Sequence, residues 1–194
     1  MKTAKPTSLP NTADISRELD RVKYNKRYRS VMRSTIFTLI TVAATAVLIA
    51  MLFLPVLQIY GSSMTPTLEN GEIVCALRSS DWEQGDVVAF YYNNKILIKR
   101  VIALPGDWVD INPEGAVSVN GVVLHEPYVT ELAYGETDIE LPYQVPDGRI
   151  FVLGDHRSVS IDSRSTTVGC IAQEQIVGKL VLRVWPLKAI GKLN

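Results

Sequence analysis

Gly61-Ser62-Ser63-Met64-Thr65-Pro66-Thr67-Leu68 is where the character of this chain changes. Before it lies a long apolar stretch, and no charged residue occurs from Ser34 through Leu68. After it come short runs rich in Val, Ile, Phe and Tyr, divided by Gly, Pro and Asn. The first part reads as a helix that crosses a membrane, the second as β-strands. The octapeptide is therefore the joint between an anchor and a body, and Ser63 at that joint is a candidate nucleophile.

Upstream of the joint, residues 36–57 form the most apolar part, about 33 Å long as a helix against a hydrocarbon core of ~30 Å. Thr38, Thr41 and Thr45 fit such a helix, since a helical Thr hydroxyl can bond a carbonyl one turn back. Pro55 falls near the far end, where a kink costs least. A cleavable signal peptide fits badly: the apolar region is too long and about thirty residues precede it. Residues 1–12 are polar and read as disordered, and residues 13–30 support a short helix with Ile15, Leu19 and Val22 at helical spacing. Arg21, Lys23, Lys26, Arg27, Arg29 and Arg33 crowd the near edge of the apolar run, as a topology signal or a contact for anionic lipid. Residues 1–33 carry nine Lys/Arg against three Asp/Glu, and the remainder eleven against seventeen. This places a basic head (1–33) in the cytosol, a signal-anchor helix over 34–60, and the 61–194 body outside. An acidic body also argues against a nucleic-acid partner.

Downstream, strand patterns cover residues 72–77, 86–92, 95–104, 116–119, 122–124, 149–153 and 176–185. Asn93-Asn94 and Asn120-Gly121 supply two-residue hairpin turns. The expected fold class is mainly β: an antiparallel, barrel-like extracytoplasmic domain behind one N-terminal transmembrane helix. Between Arg100 and Arg149 there is no Lys or Arg, while Glu126, Glu131, Glu136, Asp138 and Glu140 accumulate. The segment around 108–148 reads as a solvated acidic insertion, with contact to basic substrate regions as the alternative. Cys75 and Cys170 read as buried free thiols, a disulfide staying open for a body outside the cell.

Two bases could serve Ser63. His156 beside Asp155 allows a Ser63–His156–Asp155 triad. Lys99 lies on a strand whose alternation places it with Leu97, Val101 and Ala103. An ammonium in that company is poorly solvated, and a fall from ~10.4 to ~8 requires about 3 kcal/mol, within the reach of burial. Neutral lysine accepts a proton from a serine hydroxyl, so Ser63 with Lys99 is chemically sufficient. A lysine that reaches solvent and a serine that merely opens a turn remain the plain alternative. No zinc pattern is present.

Four stretches occur in order: residues 63–67 (SMTPT), 85–88 (GDVV), 99–107 (KRVIALPGD) and 154–164 (GDHRSVSIDSR), with RVWPL at 183–187. Together they resemble the bacterial type I signal peptidases, membrane-bound serine proteases that remove signal peptides from exported proteins. The resemblance implies Ser63 as nucleophile, Lys99 as general base, and Ser160 as the serine that hydrogen-bonds and orients the lysine. It implies Asp162 and Arg164 as a bracing charged pair, with Arg100 in support. Ile59, Met64, Leu68 and Ile98 are implied as the lining of the first substrate pocket, for small residues at small-x-small sites. His156 stands where Asn is usual. Gly61 stands where some members have an oxyanion-hole serine, which leaves the backbone N–H of Ser63 in that role. The implied partners are preprotein signal peptides and the lipid bilayer, the chain working as a monomer with no cofactor, no metal and no nucleic acid. A catalytically idle relative that assists assembly of surface proteins or pili is the alternative.

Overall fold

The computed structural model describes residues 11–78 and 81–193, without the side chains of residues 14 and 51–53. The disorder expected for residues 1–12 thus falls, for 1–10, outside the described residues. Two compact units are present, Met1–Ala50 and Met51–Asn194. Helix α1 runs unbroken over Thr12–Phe53, 42 residues, so the short helix and the anchor are one element of about 63 Å. Asn11 Oδ1 accepts from the Ala13 N–H at its start. Among the described residues α1 is the one helix long and apolar enough to cross a membrane, its apolar 18-residue window having a mean hydropathy of 1.8. The hydroxyls of Thr38, Thr41 and Thr45 each donate to the carbonyl four residues back at 2.9 Å, which hides their polarity.

The helix stops at Phe53 and not at residue 57. Pro55 has no N–H to give and pushes Leu54 toward extended backbone, so it ends the helix where a mild kink was expected. Strand β1 (Val56–Gln58) comes next, then β2 (Ile73–Leu77), β3 (Val87–Tyr92), β4 (Lys95–Ala103) and β5 (Trp108–Ile111). The chain continues with β6 (Val117–Val119), β7 (Val122–Val123), β8 (Tyr143–Gln144) and β9 (Arg149–Leu153). It closes with β10 (Ile171–Ala172), a 3-10 turn over Gln173–Gln175, β11 (Ile176–Trp185) and β12 (Gly191–Lys192). The larger sheet has the order β1-β2-β11-β3-β4-β9-β10, with β12 also on β11, and the smaller one β7-β6-β5-β8. Every pairing is antiparallel, as the sequential hairpin pattern predicts. Asn93 and Asn94 turn β3 into β4 with φ of 44° and 64°, and Asn120-Gly121 turns β6 into β7 with 53° and 79°. Both central φ values are positive, the geometry whose twist matches that of the flanking strands.

β3 shows why the larger sheet is rigid. Val87 and Ala89 on one face join a cluster with Ile59, Met64, Leu68, Val74, Ala76, Val177 and Leu180. Val88 and Phe90 on the other face join Val101, Ile150, Val152 and Ile171. With both faces buried, β3 fixes its neighbour β4 along its length. A third cluster, centred on Ile102, Val109, Val117, Phe151 and Leu153, joins the two sheets. A bulge in β4 between Val101 and Ala103 turns Ala103 into this third cluster, away from the Leu97–Val101 face expected to hold it.

The acidic segment is no solvated appendage. Leu124, Ile139, Leu141 and Tyr143 pack on the third cluster, and Ala133 backbone atoms lie 2.5 Å from where a Cβ on Gly115 would stand. Its exposed carboxylates Glu131, Glu136 and Glu140 do face solvent, but the chain between them is bound to the body.

At Gly178, on β11, an added Cβ would lie 2.7 Å from the Leu77 carbonyl oxygen. Gly178→Ala is expected to destabilise the protein by about 1–3 kcal/mol, read by thermal unfolding in detergent. Gly191→Ala, whose Cβ meets nothing within 4 Å, should change stability by less than about 0.5 kcal/mol.

Candidate active site

The 61–68 loop turns tightly upon itself: the Thr65 hydroxyl donates to the Ser62 carbonyl at 2.8 Å, and the Leu68 N–H to Met64 O at 2.8 Å. Ser63, half-buried, is presented at its inner side. From β4, held against β3 by the Val88–Lys99 register, Lys99 reaches it. Lys99 Nζ donates to Ser63 Oγ at 2.7 Å. Lys99 is 3% exposed, and burial pulls its pKa down from 10.5 to about 8. Asp162 and Asp155 oppose that fall, and Arg164 adds to it.

Those two carboxylates do not act on the lysine alone, because each is held by an arginine. Arg100 clasps Asp155 through Nε at 2.9 Å and Nη2 at 2.8 Å, and donates Nη1 to Gly85 O at 2.7 Å. Its guanidinium lies 3.8 Å from the centre of the Tyr128 ring. Arg164 clasps Asp162 at 2.8 and 2.9 Å and also donates to the carbonyls of Tyr134, Arg157 and Ser160. Asp162 accepts from the Gly154 N–H at 3.0 Å. The pairs are fully buried. Two-point contact of this kind fixes direction as well as charge.

The turn after β9 covers the dyad. His156 N–H donates to Ser63 O at 3.1 Å. At Gly154 a Cβ would stand 2.2 Å from Ser160 Oγ and 2.5 Å from Ser63 O, so only glycine admits this approach. The hydrogen bond expected between Ser160 and Lys99 is not formed. Ser160 Oγ is buried with no hydrogen-bond partner among the described residues, while Lys99 Nζ is directed to Ser63.

The His156 triad is not assembled. Its Nδ1 lies 3.0 Å from Thr65 Oγ1 and 3.3 Å from Ser62 O, and the Asp155 carboxylate is engaged by Arg100 and Thr67. His156 supports the loop and does not reach the Ser63 hydroxyl.

Beside Ser63 and Lys99 opens a groove of about 420 Å³ between residues 57–61 and residues 95–99. Ile59, Met64 and Ile98 line it, as expected. Leu68 does not: it is fully buried in the cluster beneath, turned inward by the bond to Met64. β4 pairs with β9 only from Arg100 onward. Among the described residues, 95–98 therefore pair on one side only, with β3, and their other edge faces the groove. At Gly61 φ is 93°, and its N–H donates to Asn70 Oδ1 at 3.0 Å, which shapes the approach to Ser63. Among the described residues no group of three or more His, Cys, Asp or Glu side chains could hold a metal ion. Cys75 and Cys170 are both free, and burial pushes the Cys170 thiol up to about 11.

Sequence reasoning missed Gly154, Glu126 and Tyr128. Gly154 and Arg157 lay in the quoted 154–164 stretch, yet no role was visible for them. No sequence signal singled them out: the body has more carboxylates than basic groups, and Glu126 is one of several acids in a segment without Lys or Arg.

A serine hydroxyl against a poorly solvated lysine, on the rim of an apolar groove, is the arrangement of a serine hydrolase that works without a histidine. Comparison with known proteins narrows that class. The profile of the family described as "Signal peptidase, peptidase S26" matches residues 32–185, and the chain belongs to that family. It is 38% identical over 148 residues to signal peptidase IB of Staphylococcus aureus, covering 66% of this chain and 76% of that protein. It is 37% identical over 165 residues to thylakoidal processing peptidase 1, chloroplastic, of Arabidopsis thaliana, covering 74% of this chain and 47% of that protein. It is similar also to the crystal structure of a signal peptidase I from Enterococcus faecalis V583: 30% identity, TM-score 0.44, 52% of this chain and 97% of that one.

The lysine couples the site to stability. Its folded pKa of about 8 lies below the unfolded value near 10.5, so between these the unfolded state binds the extra proton and stability rises with pH. The gain approaches about 3 kcal/mol at ~1.36 kcal/mol per unit. Denaturant titrations at pH 7.5 and 10 should show it in the wild type relative to Lys99→Met, which lacks the group. Equal pH dependence in the two would contradict the burial of Lys99.

Proposed function

We propose that this chain is a signal peptidase that removes signal peptides from exported preproteins at small-x-small sites. One observation carries the reading: a buried lysine of lowered pKa, 2.7 Å from a serine hydroxyl, beside an open strand edge. An extended peptide lies in the groove and adds to the free edge of residues 95–98 by backbone hydrogen bonds. Ile59, Met64 and Ile98 leave a shallow apolar wall there, suited to small side chains before the cut.

Ser63 Oγ attacks the scissile carbonyl carbon while neutral Lys99 takes its proton. The tetrahedral oxyanion is met by the Ser63 N–H. It collapses to an acyl-enzyme as the C–N bond breaks, and the Lys99 ammonium gives its proton to the leaving amine. Water then attacks the acyl carbon with Lys99 as base, and Ser63 departs carrying the proton back. Arg100 and Arg164 hold Asp155 and Asp162 so that neither recharges the lysine.

In this reading residues 34–53 are the membrane anchor, residues 1–33 are cytosolic by their excess of Lys and Arg, and the body from β1 onward is extracytoplasmic. In this reading the chain acts as a monomer at the bilayer surface, without cofactor or metal.

The test is cleavage of a preprotein with a small-x-small site by the full chain in lipid-supplied detergent. Ser63→Ala and Lys99→Ala should each lose roughly 10⁴-fold or more in kcat, and His156→Ala should retain activity. Because the base must be neutral, kcat/KM should rise with pH through a midpoint of about 8. Activity surviving in Lys99→Ala would sink the mechanism. A folded but inactive wild type would favour a non-catalytic assembly role.

A further inference from the structure

One carboxylate of the acidic segment is unlike the rest. The side chain of Glu126 is 4% exposed and that of its partner Arg157 is 1% exposed. Arg157 Nη1 donates to Glu126 Oε2 at 3.0 Å and Nη2 to Oε1, and the Tyr128 hydroxyl donates to the same Oε1 at 2.9 Å. Arg157 is held from its other side as well: its Nε donates to Gly154 O at 3.1 Å, and its own carbonyl accepts from Arg164. Glu126 is therefore the third carboxylate that the three buried arginines require, supplied from outside the 154–164 stretch.

We propose that Glu126 is a positioning residue: by neutralising and aiming Arg157 it fixes the 154–160 turn, and with it Gly154 and Ser160, against Ser63 and Lys99. This rests on Ser63 and Lys99 being the working dyad. The route is short and made of contacts. Glu126 sets the guanidinium, the guanidinium holds the Gly154 carbonyl, and the turn so held donates His156 N–H to Ser63 O. Without its carboxylate, a desolvated guanidinium is left uncompensated, and the turn must move to give it water or another acceptor. Tyr128 adds a second tie, since its hydroxyl is on Glu126 and its ring on Arg100. Lys99 is faced by Ser63 from the loop and by Asp155, Asp162 and Arg164 from the segment after β9. Removing the Glu126 charge leaves excess positive charge beside that set, which favours the neutral amine and moves the Lys99 titration down.

The experiment compares the wild-type full chain in detergent with Glu126→Gln, Glu126→Asp and the double variant Glu126→Gln/Arg157→Gln. Two readouts are taken across pH. One is kcat and KM on the preprotein. The other is competitive acetylation of Lys99 by acetic anhydride, whose rate follows the neutral amine and needs no turnover. Glu126→Gln should lose roughly ten- to a hundredfold in kcat with KM little changed, and its Lys99 midpoint should fall. Glu126→Asp should hold the wild-type midpoint, and the double variant should restore the midpoint while kcat stays low. A purely structural role would lower the active fraction without moving the midpoint, and that result overturns the proposal. So does wild-type kcat in Glu126→Gln or, where that variant fails to fold, wild-type kcat in the double variant. Absence of cleavage by wild type would instead strike the Ser63–Lys99 dyad, and the acetylation profiles would still decide the role of Glu126.

Discussion

The structure depends on keeping one ammonium group poorly hydrated without giving it a counter-ion. A buried lysine ordinarily acquires a carboxylate, which restores its charged form and ends its use as a base. Here two carboxylates are close enough to influence Lys99, and each is occupied by a two-point contact with an arginine. Burial therefore wins over attraction. β3, apolar on both faces, holds β4 in place, and the 61–68 loop closes over the amine with a serine as its nearest partner.

Buried ion pairs of this kind are weak contributors to stability, because the desolvation of both partners offsets their attraction. Their contribution is directional. Each arginine carries more donors than its carboxylate can use, and the surplus goes to backbone carbonyls of Gly85, Gly154, Tyr134 and Ser160. The same groups that insulate the lysine thus tie three separate pieces of irregular chain, around residues 85, 134 and 154–160, into one frame. Gly154 shows how tight that frame is, since it leaves no room for a methyl group between Ser160 and Ser63.

Much of this was legible in the sequence because it comes from long patterns. The anchor is apolar over many turns, and β3, β4 and β11 have enough residues for their periodicity to show. What escaped depends on single residues or on contacts distant in sequence. β1, β8, β10 and β12 have two or three residues each and carry no period. Pro55 could have been a kink or a stop, and only the pairing of Val56–Gln58 with β2 decides for the stop. The bulge before Ala103 shifts one side chain between faces, which alternation cannot foresee. The 126–164 contacts join residues 31 apart for Glu126 and Arg157. Their acidic partner looked like one charge among several in a solvated stretch. The dyad pair itself came from four motifs in order, whereas the expected Ser160 contact is replaced by the direct hydrogen bond from Lys99 Nζ to Ser63 Oγ.

The insulation of the ion pairs has a consequence for where the protein works. Near an anionic bilayer the local ion concentration, and with it the screening of charge, differs from bulk and changes with lipid composition. Interactions across water decay within about 10 Å at ordinary ionic strength, whereas buried pairs are barely screened. Arg100–Asp155, Arg157–Glu126 and Arg164–Asp162 are all of the second kind, each side chain at most 4% exposed. The basic residues at the head of α1 are exposed and of the first kind, so salt screens their charge. The charges around Lys99 are thereby shielded from the electrolyte that screens the head.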